Sequence, residues 1–192
     1  MLPLTEGTPR ARSEPWRTGK LMIEHLQARF PDIEFAPAPL LDRGDELGAQ
    51  LCVRVLPANL IEVLRFLRDD SNYRFEQLCD LTCIDYMNFP KATDRYGVTY
   101  SLLSISLGHR LWIKCFVNDP DPEVPSATPI WTGADWMERE VFDMFGIVFT
   151  DHPDLRRILT WDGFEAHPLR KDYPLRGRGE REDYDVVVRG SA

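Results

Sequence analysis

The sequence has few of the features that would let a chain carry a redox centre. Its four cysteines, Cys52, Cys79, Cys83 and Cys115, form no Cys-x-x-Cys pair, and each lies among apolar residues. Iron–sulfur clusters and structural zinc sites need grouped cysteine ligands. We therefore expect reduced cysteines that pack as small apolar side chains, and no metal ion or cluster bound by this chain.

Long apolar runs and an excess of positive charge are also missing. No stretch approaches the roughly 18–20 apolar residues that a membrane-spanning helix requires. The first twenty residues lack the apolar core of a signal peptide, and Glu6 and Glu14 make them a poor transit peptide. The formal net charge is −8, whereas a nucleic-acid-binding surface needs a basic face. We expect a cytoplasmic protein, held at any membrane by its partners.

The composition that remains, 43% apolar and 28% charged over 192 residues, fits one globular domain with an appendage. Hydrophobic periodicity predicts alternating helices and hairpin-linked strands. In chain order these are helix 18–30, strand 50–56, a helix capped by Asn59, strand 75–86, hairpin strands 98–107 and 111–117, and helix 133–145. The acidic, proline-rich loop 118–129 should form neither helix nor strand. This order indicates a two-layer α+β sandwich.

The third predicted helix has boundary signals at both ends and a carboxylate on its apolar side. Thr132 and Asp135 form a capping-box pattern, and Gly146 stands where a left-handed C-cap belongs. Glu140 falls inside the apolar arc of the helix. The arc consists of Trp136, Met137, Val141, Met144 and Phe145.

A buried charge needs a partner. We therefore favour a structural ion pair of Glu140 with Arg156 or Arg157 over a role as general acid or metal ligand. On the opposite side, Arg139 and Asp143 are predicted to form a surface ion pair, and Phe142 beside them indicates a second contact surface.

Residues 147–192 show no sustained period and are predicted to form an extended tail. His152 and His167 each precede a proline, which restricts them to extended backbone. Such a tail buries little against its own domain, so we expect a partner to order it. The predicted organisation is a disordered N-terminal arm (1–17), an α+β domain (18–146) and a partner-wrapping tail (147–192).

Three ordered blocks lie in the C-terminal third of this chain: EREVFDMFGIVF at 138–149, HPDLRRIL at 152–159 and HPLRKDYPL at 167–175. They resemble the motifs of the thirty-kilodalton C subunit of proton-pumping NADH:quinone oxidoreductase (respiratory complex I). The resemblance continues upstream through 125–131 and 134–136. It implies a mixed, largely antiparallel sheet with helices on one face.

The resemblance also implies the chain's role. The chain would be a non-catalytic structural subunit of the peripheral arm, on the cytoplasmic side of the bacterial inner membrane. Its main partner would be the forty-nine-kilodalton D subunit, with the B and I subunits nearby, and FMN and the iron–sulfur clusters would lie in partner subunits. The motif residues expected at subunit interfaces are Glu138, Arg139, Glu140, Phe142, Asp143, His152, Arg156, Arg157, His167, Arg170, Lys171, Asp172 and Tyr173.

Two other interpretations stay open at this point. A membrane-bound hydrogenase or a plastid-type complex that uses ferredoxin contains a homologous subunit with the first block, although the two intact tail blocks favour the respiratory form. A stand-alone metal-dependent hydrolase could instead use Glu138, Glu140, Asp143 and His152 as ligands and bases.

Overall fold

The computed structural model describes residues 19–31, 35–37 and 52–179. Within them, helices and strands alternate in an α+β order. The helices are α1 (Gly19–Arg29), α2 (Pro57–Asp69) and α3 (Ala134–Phe145). The strands are β1 (Ala36–Pro37), β2 (Cys52–Arg54), β3 (Gln77–Asp85), β4 (Tyr96–Ser104), β5 (His109–Val117), β6 (Glu123–Pro125) and β7 (Val148–Thr150).

The main sheet of the described chain has five strands in the order β1-β2-β5-β4-β3. Its β2–β5 pair is parallel, while β1–β2, β3–β4 and β4–β5 are antiparallel. Alternate residues of β4 and β5, such as Tyr100, Leu102 and Ile113, are fully buried in the core. Helix α3 packs on β3, and α2 packs near β5 and β6. The predicted α+β fold with a mixed, largely antiparallel sheet is confirmed.

The two predicted helix caps at N-termini are wrong. Helix α2 begins at Pro57 after Leu56, so Asn59 lies within the first turn and makes no cap. Proline suits that position because its φ is already helical and it has no N–H to leave unpaired. Gly133 precedes α3 without a side-chain cap hydrogen bond, so the capping box of Thr132 and Asp135 does not form.

The proline-rich loop 118–129 contains a strand that periodicity missed. Strand β6 pairs in parallel with β7, with Val124 opposite Phe149. Both side chains are buried in the core. The prolines flank Val124 rather than interrupt it, and the Ser126 N–H continues the ladder by donating to the Thr150 carbonyl at 2.9 Å. A short strand with one inward side chain carries too little pattern to be predicted from sequence.

The packed domain extends beyond the predicted boundary after Gly146. Ile147 and Phe149 belong to the core, and Phe164 is also buried. The expectation that the segment after Gly146 buries little against its own domain is therefore wrong for its first half. The predicted disordered arm at 1–17 and the last residues, 180–192, lie outside the described part of the chain. Among the described helices, none is long and apolar enough to cross a membrane.

Gly146 ends α3 as the sequence predicts. It adopts φ +75°, and its N–H donates to the Phe142 carbonyl at 2.8 Å. A Cβ at this position would lie 2.5 Å from Nε2 of His167 and 2.6 Å from Nη2 of Arg170. Glycine is therefore needed both for the left-handed backbone and for the close approach of the returning chain.

We predict that Gly146→Ala lowers the free energy of unfolding by about 1–3 kcal/mol, because it adds backbone strain and displaces two packed side chains. Gly133→Ala, at the other end of the same helix, is the matched control. Its backbone is helical and nothing lies within 4 Å of the new Cβ. Urea denaturation of both variants measures the difference, and equal stabilities would contradict the account of Gly146.

Candidate functional site: the α3 junction

The predicted interface motif falls mostly in one place, where α3 meets the segment 151–173. We call this contact region the α3 junction. Glu138 and Asp143 have no exposed surface and Arg139 keeps only 7%, whereas Glu140 is exposed and Trp136 is 63% exposed. The buried side of α3 is therefore rotated around the helix relative to the predicted apolar arc. The hydrophobic pattern predicted that Trp136 points inward. Charged residues occupy the buried positions instead, because other parts of the chain supply hydrogen-bonding partners for them.

Asp143 is surrounded by donors from the returning segment. Its Oδ2 accepts backbone N–H groups of Ile158 (3.0 Å), Leu159 (2.7 Å) and Thr160 (2.9 Å). Its Oδ1 accepts Nη1 of Arg157 at 2.8 Å and the Thr160 hydroxyl. Burial alone would raise the pKa of Asp143, but these hydrogen bonds outweigh it and lower the pKa to about 2. The carboxylate is thus a charged structural anchor.

The predicted surface ion pair between Arg139 and Asp143 is wrong, since Arg157 takes that place. Arg139 instead lies over the Trp136 ring at 4.7 Å and donates from Nε to the Arg156 carbonyl at 3.4 Å. The Arg156 side chain is exposed and pairs with Asp154 at 2.9 Å. Neither Arg156 nor Arg157 serves as a buried partner of Glu140, because Glu140 faces outward.

The returning segment also supplies donors for the end of α3. A helix leaves its last four carbonyls without intrahelical partners. The Gly146 N–H donates to the first of these four carbonyls, and groups from three later residues donate to the others. The bonds are His167 Nδ1–H to the Asp143 carbonyl (2.9 Å), Leu169 N–H to the Met144 carbonyl (3.1 Å) and Arg170 Nε–H to the Phe145 carbonyl (2.5 Å). Phe142 is half-buried, with its ring 6.4 Å from that of His167.

A second attachment holds the segment to the end of β3. The Lys171 N–H donates to Oδ2 of the buried Asp85 at 2.8 Å. The Arg95 guanidinium lies 2.7 Å from Asp172, 3.4 Å from Asp85 and 2.6 Å from Asp119. The side chain of Lys171 remains exposed. Sequence reasoning missed Asp85 and Arg95, because an isolated charge at a strand end carries no periodic signal.

Glu138, rather than Glu140, is the buried carboxylate of the helix. The Ser126 hydroxyl donates to its Oε2 at 2.6 Å and the Ala127 N–H to its Oε1 at 2.7 Å. Burial raises the pKa of Glu138 to about 7, with a contribution from nearby Asp135 and against the two hydrogen bonds. Glu138 therefore gains a proton near neutral pH.

His152 lies beside Glu138 with its side chain fully buried. Its Nδ1 accepts the Asp154 N–H at 3.0 Å, so the neutral ring carries its proton on Nε2. That nitrogen lies 3.3 Å from the Asp135 carbonyl, 3.6 Å from the Asp135 carboxylate and 3.9 Å from Glu138. The histidine thus bridges α3 and the returning segment through hydrogen bonds.

The four residues of the hydrolase interpretation do not converge on a common point. Glu140 is exposed, and the oxygens of Asp143 are occupied by donors from Arg157 and Thr160. Across the described ranges, no group of three or more His, Cys, Asp and Glu side chains could hold a metal ion. The arrangement joins two parts of the chain, α3 and the returning segment, through hydrogen bonds.

Two apolar side chains of the junction are exposed to solvent. Leu159 is 62% exposed and Leu169 50% exposed, and Tyr173 is half-buried. Each belongs to the segment whose backbone or neighbours are bonded to α3 or β3. The inner side of this segment is therefore part of the fold, and its outer side is a candidate contact surface.

Comparisons with known proteins agree with this architecture. The family model described as "Respiratory-chain NADH dehydrogenase, 30 Kd subunit" matches residues 53–179. The C subunit of NADH-quinone oxidoreductase from Caulobacter vibrioides is 52% identical over 88% of this chain and 83% of that relative. NADH-ubiquinone oxidoreductase subunit 9 of Reclinomonas americana is 44% identical over 71% of this chain and 65% of that protein.

Two solved structures share the fold. A trypsin-resistant fragment of Nqo5 has a TM-score of 0.54 and 29% identity, covering 71% of this chain and 99% of the fragment. A chain of an archaeal membrane-bound sulfane sulfur reductase has a TM-score of 0.64 and 21% identity, covering 91% of this chain and 95% of that one. The second likeness is one of fold alone.

The class is therefore that of α+β subunits of respiratory redox complexes. Within it, this chain belongs to the family of the 30 kDa subunit of respiratory-chain NADH dehydrogenase. The resemblance found in the three terminal sequence blocks is confirmed.

We predict that Asp143→Asn lowers the free energy of unfolding by about 2–4 kcal/mol. The amide NH₂ of asparagine would face N–H donors of the returning segment, and Arg157 would lose its counter-charge. Glu140→Gln, on the exposed side of the same helix, should change stability by less than about 0.5 kcal/mol. Denaturant titrations of the two variants make the comparison. Equal losses, or a larger loss for Glu140→Gln, would contradict the buried-anchor account.

Glu138 should make stability depend on pH in a predictable direction. The pKa of Glu138 is higher in the folded state than in the unfolded state, so protonated Glu138 stabilises the fold. This contribution is complete below the unfolded-state pKa and is lost as the pH rises through about 7. Glutamine cannot ionise. The stability of Glu138→Gln relative to wild type should therefore rise by about 1–3 kcal/mol between about pH 5 and pH 8. A constant difference for Glu138→Gln would refute the assignment.

Proposed function

We propose that this chain is a structural subunit of the peripheral arm of a NADH:quinone oxidoreductase and performs no redox step of its own. The proposal rests on one observation: charged residues of the family motif form hydrogen bonds within this chain's own fold. Asp143, Glu138 and His152 are each hydrogen-bonded to other parts of the same chain, which supports a structural role for them. Family membership supplies the assembly in which such a chain works.

The partner expected at the α3 junction is the forty-nine-kilodalton D subunit, with the B and I subunits nearby. The exposed outer side of the returning segment supports this proposal, because its apolar groups need cover that the described chain does not provide. Leu159 lies at the centre of the segment, directly outside the Asp143 anchor. A partner that covers Leu159 would therefore be held by a rigid backbone at low entropic cost.

The complex transfers electrons from NADH through FMN and iron–sulfur clusters to a quinone and couples this to proton translocation. In the proposal those cofactors lie in partner subunits, and this chain positions the subunits relative to one another. The chain would be a peripheral component on the cytoplasmic side of the bacterial inner membrane. The absence of a Cys-x-x-Cys pair from its sequence supports this division of roles.

The proposal predicts that Leu159→Gln weakens assembly without unfolding the chain. The side chain is 62% exposed, so the isolated variant should keep its stability within about 0.5 kcal/mol. Less of the forty-nine-kilodalton partner should then co-purify with the tagged chain from detergent-extracted native membranes. Leu56→Gln is the matched control, since Leu56 is 50% exposed at the start of α2 and lies outside the α3 junction.

The same preparation tests the remaining parts of the proposal. Quinone-reductase activity per assembled complex should be equal in wild type and in Leu159→Gln, because the chain contributes no chemical step. Loss of turnover in a fully assembled variant would overturn the structural role. Companions typical of a hydrogenase, without NADH-binding flavoprotein subunits, would assign the chain to the hydrogenase-type complex instead.

A further inference from the structure

The five-stranded sheet has a second face, turned away from the core. Neighbouring residues of a strand point to opposite faces, so the residues between the core positions of β4 and β5 project together on the other side. We call this surface the open face. It is defined by Arg54 of β2, Leu103 of β4, and Arg110, Trp112, Lys114 and Phe116 of β5.

Two cations of this face lie on β5, whereas an exposed carboxylate of the same face, Asp80, lies two strands away on β3, opposite Ser101. Arg110 is exposed and Lys114 is only 6% exposed, and neither makes an ion pair with the described residues. The Lys114 ammonium donates one hydrogen bond, to the Tyr86 hydroxyl at 3.0 Å. Arg54 differs, because Asp94 neutralises it at 2.9 Å. A largely buried ammonium that lacks a carboxylate is costly, and a supplied negative charge would offset that cost.

An unsatisfied donor lies between the two cations. Nε1 of Trp112 is buried and has no hydrogen-bond acceptor among the described residues. Arg110, Trp112 and Lys114 follow one another at alternate positions of β5, about 6–7 Å apart. The three side chains therefore lie on the same side of the sheet, with Arg110 exposed and Nε1 of Trp112 buried. That spacing matches alternate residues of an extended segment, whose carboxylates and carbonyls are acceptors.

The open face also has partly exposed aromatic side chains that a docked segment could cover. Phe116 is half-buried, with its ring 5.8 Å from that of Tyr86 and 4.7 Å from the Arg54 guanidinium. Phe89, which lies 5.2 Å from Tyr86, is 58% exposed. Aromatic and arginine side chains of this kind are enriched where protein surfaces meet.

We propose that the open face docks an acidic segment of another subunit, with carboxylates opposite Arg110 and Lys114. The inference rests on the proposed function, in which the chain is held in an assembly. Charge complementarity selects the occupant. A second copy of this chain would set Arg110 and Lys114 against the same cations in a two-fold contact, which is repulsive.

The first test places a photo-crosslinking amino acid in place of Ser101, which lies directly opposite Trp112 in the sheet. The full-length chain is expressed in cells, native membranes are irradiated, and crosslinked peptides are identified by mass spectrometry. A crosslink to another subunit through a peptide rich in Asp or Glu is expected. The same amino acid in place of the exposed Glu62 on α2 is the control. No crosslink from Ser101, a crosslink to a second copy, or one to a peptide without acidic residues would each overturn the proposal.

The second test reverses one charge. Arg110→Glu should leave the folded chain intact, because the side chain is exposed. After a high-salt wash of the complex, about two- to fivefold less variant than wild type should remain bound. Arg65→Glu, an equal charge change on exposed α2, should be retained like wild type. Equal retention of the two variants would refute the docking site.

The two proposals fail in different ways. If wild-type chain co-purifies with no redox subunit, the proposed function fails, whereas an acidic crosslink from Ser101 would still support the docking site. If wild type co-purifies with the complex but Ser101 gives no crosslink and Arg110→Glu assembles like Arg65→Glu, only the docking site fails.

Discussion

The end of α3 is the constraint on which the rest of this structure depends. Its last turn is buried together with a carboxylate, Asp143, and buried polar groups must find partners. Those partners come from residues 157–170, which supply backbone, arginine and histidine donors to Asp143 and to the final carbonyls of the helix. The segment after Gly146 is thus held by the polar requirements of a helix end rather than by a large apolar core of its own.

This arrangement divides the segment into two sides with different roles. Its inner side completes α3 and, through Lys171 and Asp172, reaches the end of β3. Its outer side keeps Leu159 and Leu169 exposed. A backbone fixed by many hydrogen bonds can present such side chains without further ordering. The chain therefore combines a rigid scaffold with an uncovered contact surface, as expected for a component of a larger assembly.

Sequence reasoning recovered what depends on strong local signals. The α1 helix, the β4–β5 hairpin and the Gly146 cap follow from periodicity and from the special backbone of glycine. It failed where tertiary contacts override hydrophobicity. Trp136 is exposed, with Arg139 over its ring, and Glu138 is buried where Ser126 and Ala127 supply donors from the end of β6. No residue scale contains those donors, so the choice between Glu138 and Glu140 could not be made from the helix alone.

The distance along the chain between α3 and its donors has a consequence for synthesis. Thr160 follows Asp143 by 17 residues and Arg170 follows Phe145 by 25. A ribosome therefore releases the helix before the residues that complete it, while β6, α3 and β7 can already close into a local unit. A nascent or prematurely terminated chain carries an unpaired Asp143 and open carbonyls in a nearly finished domain. Burial of the helix end therefore has to wait until residues 157–170 have been synthesised.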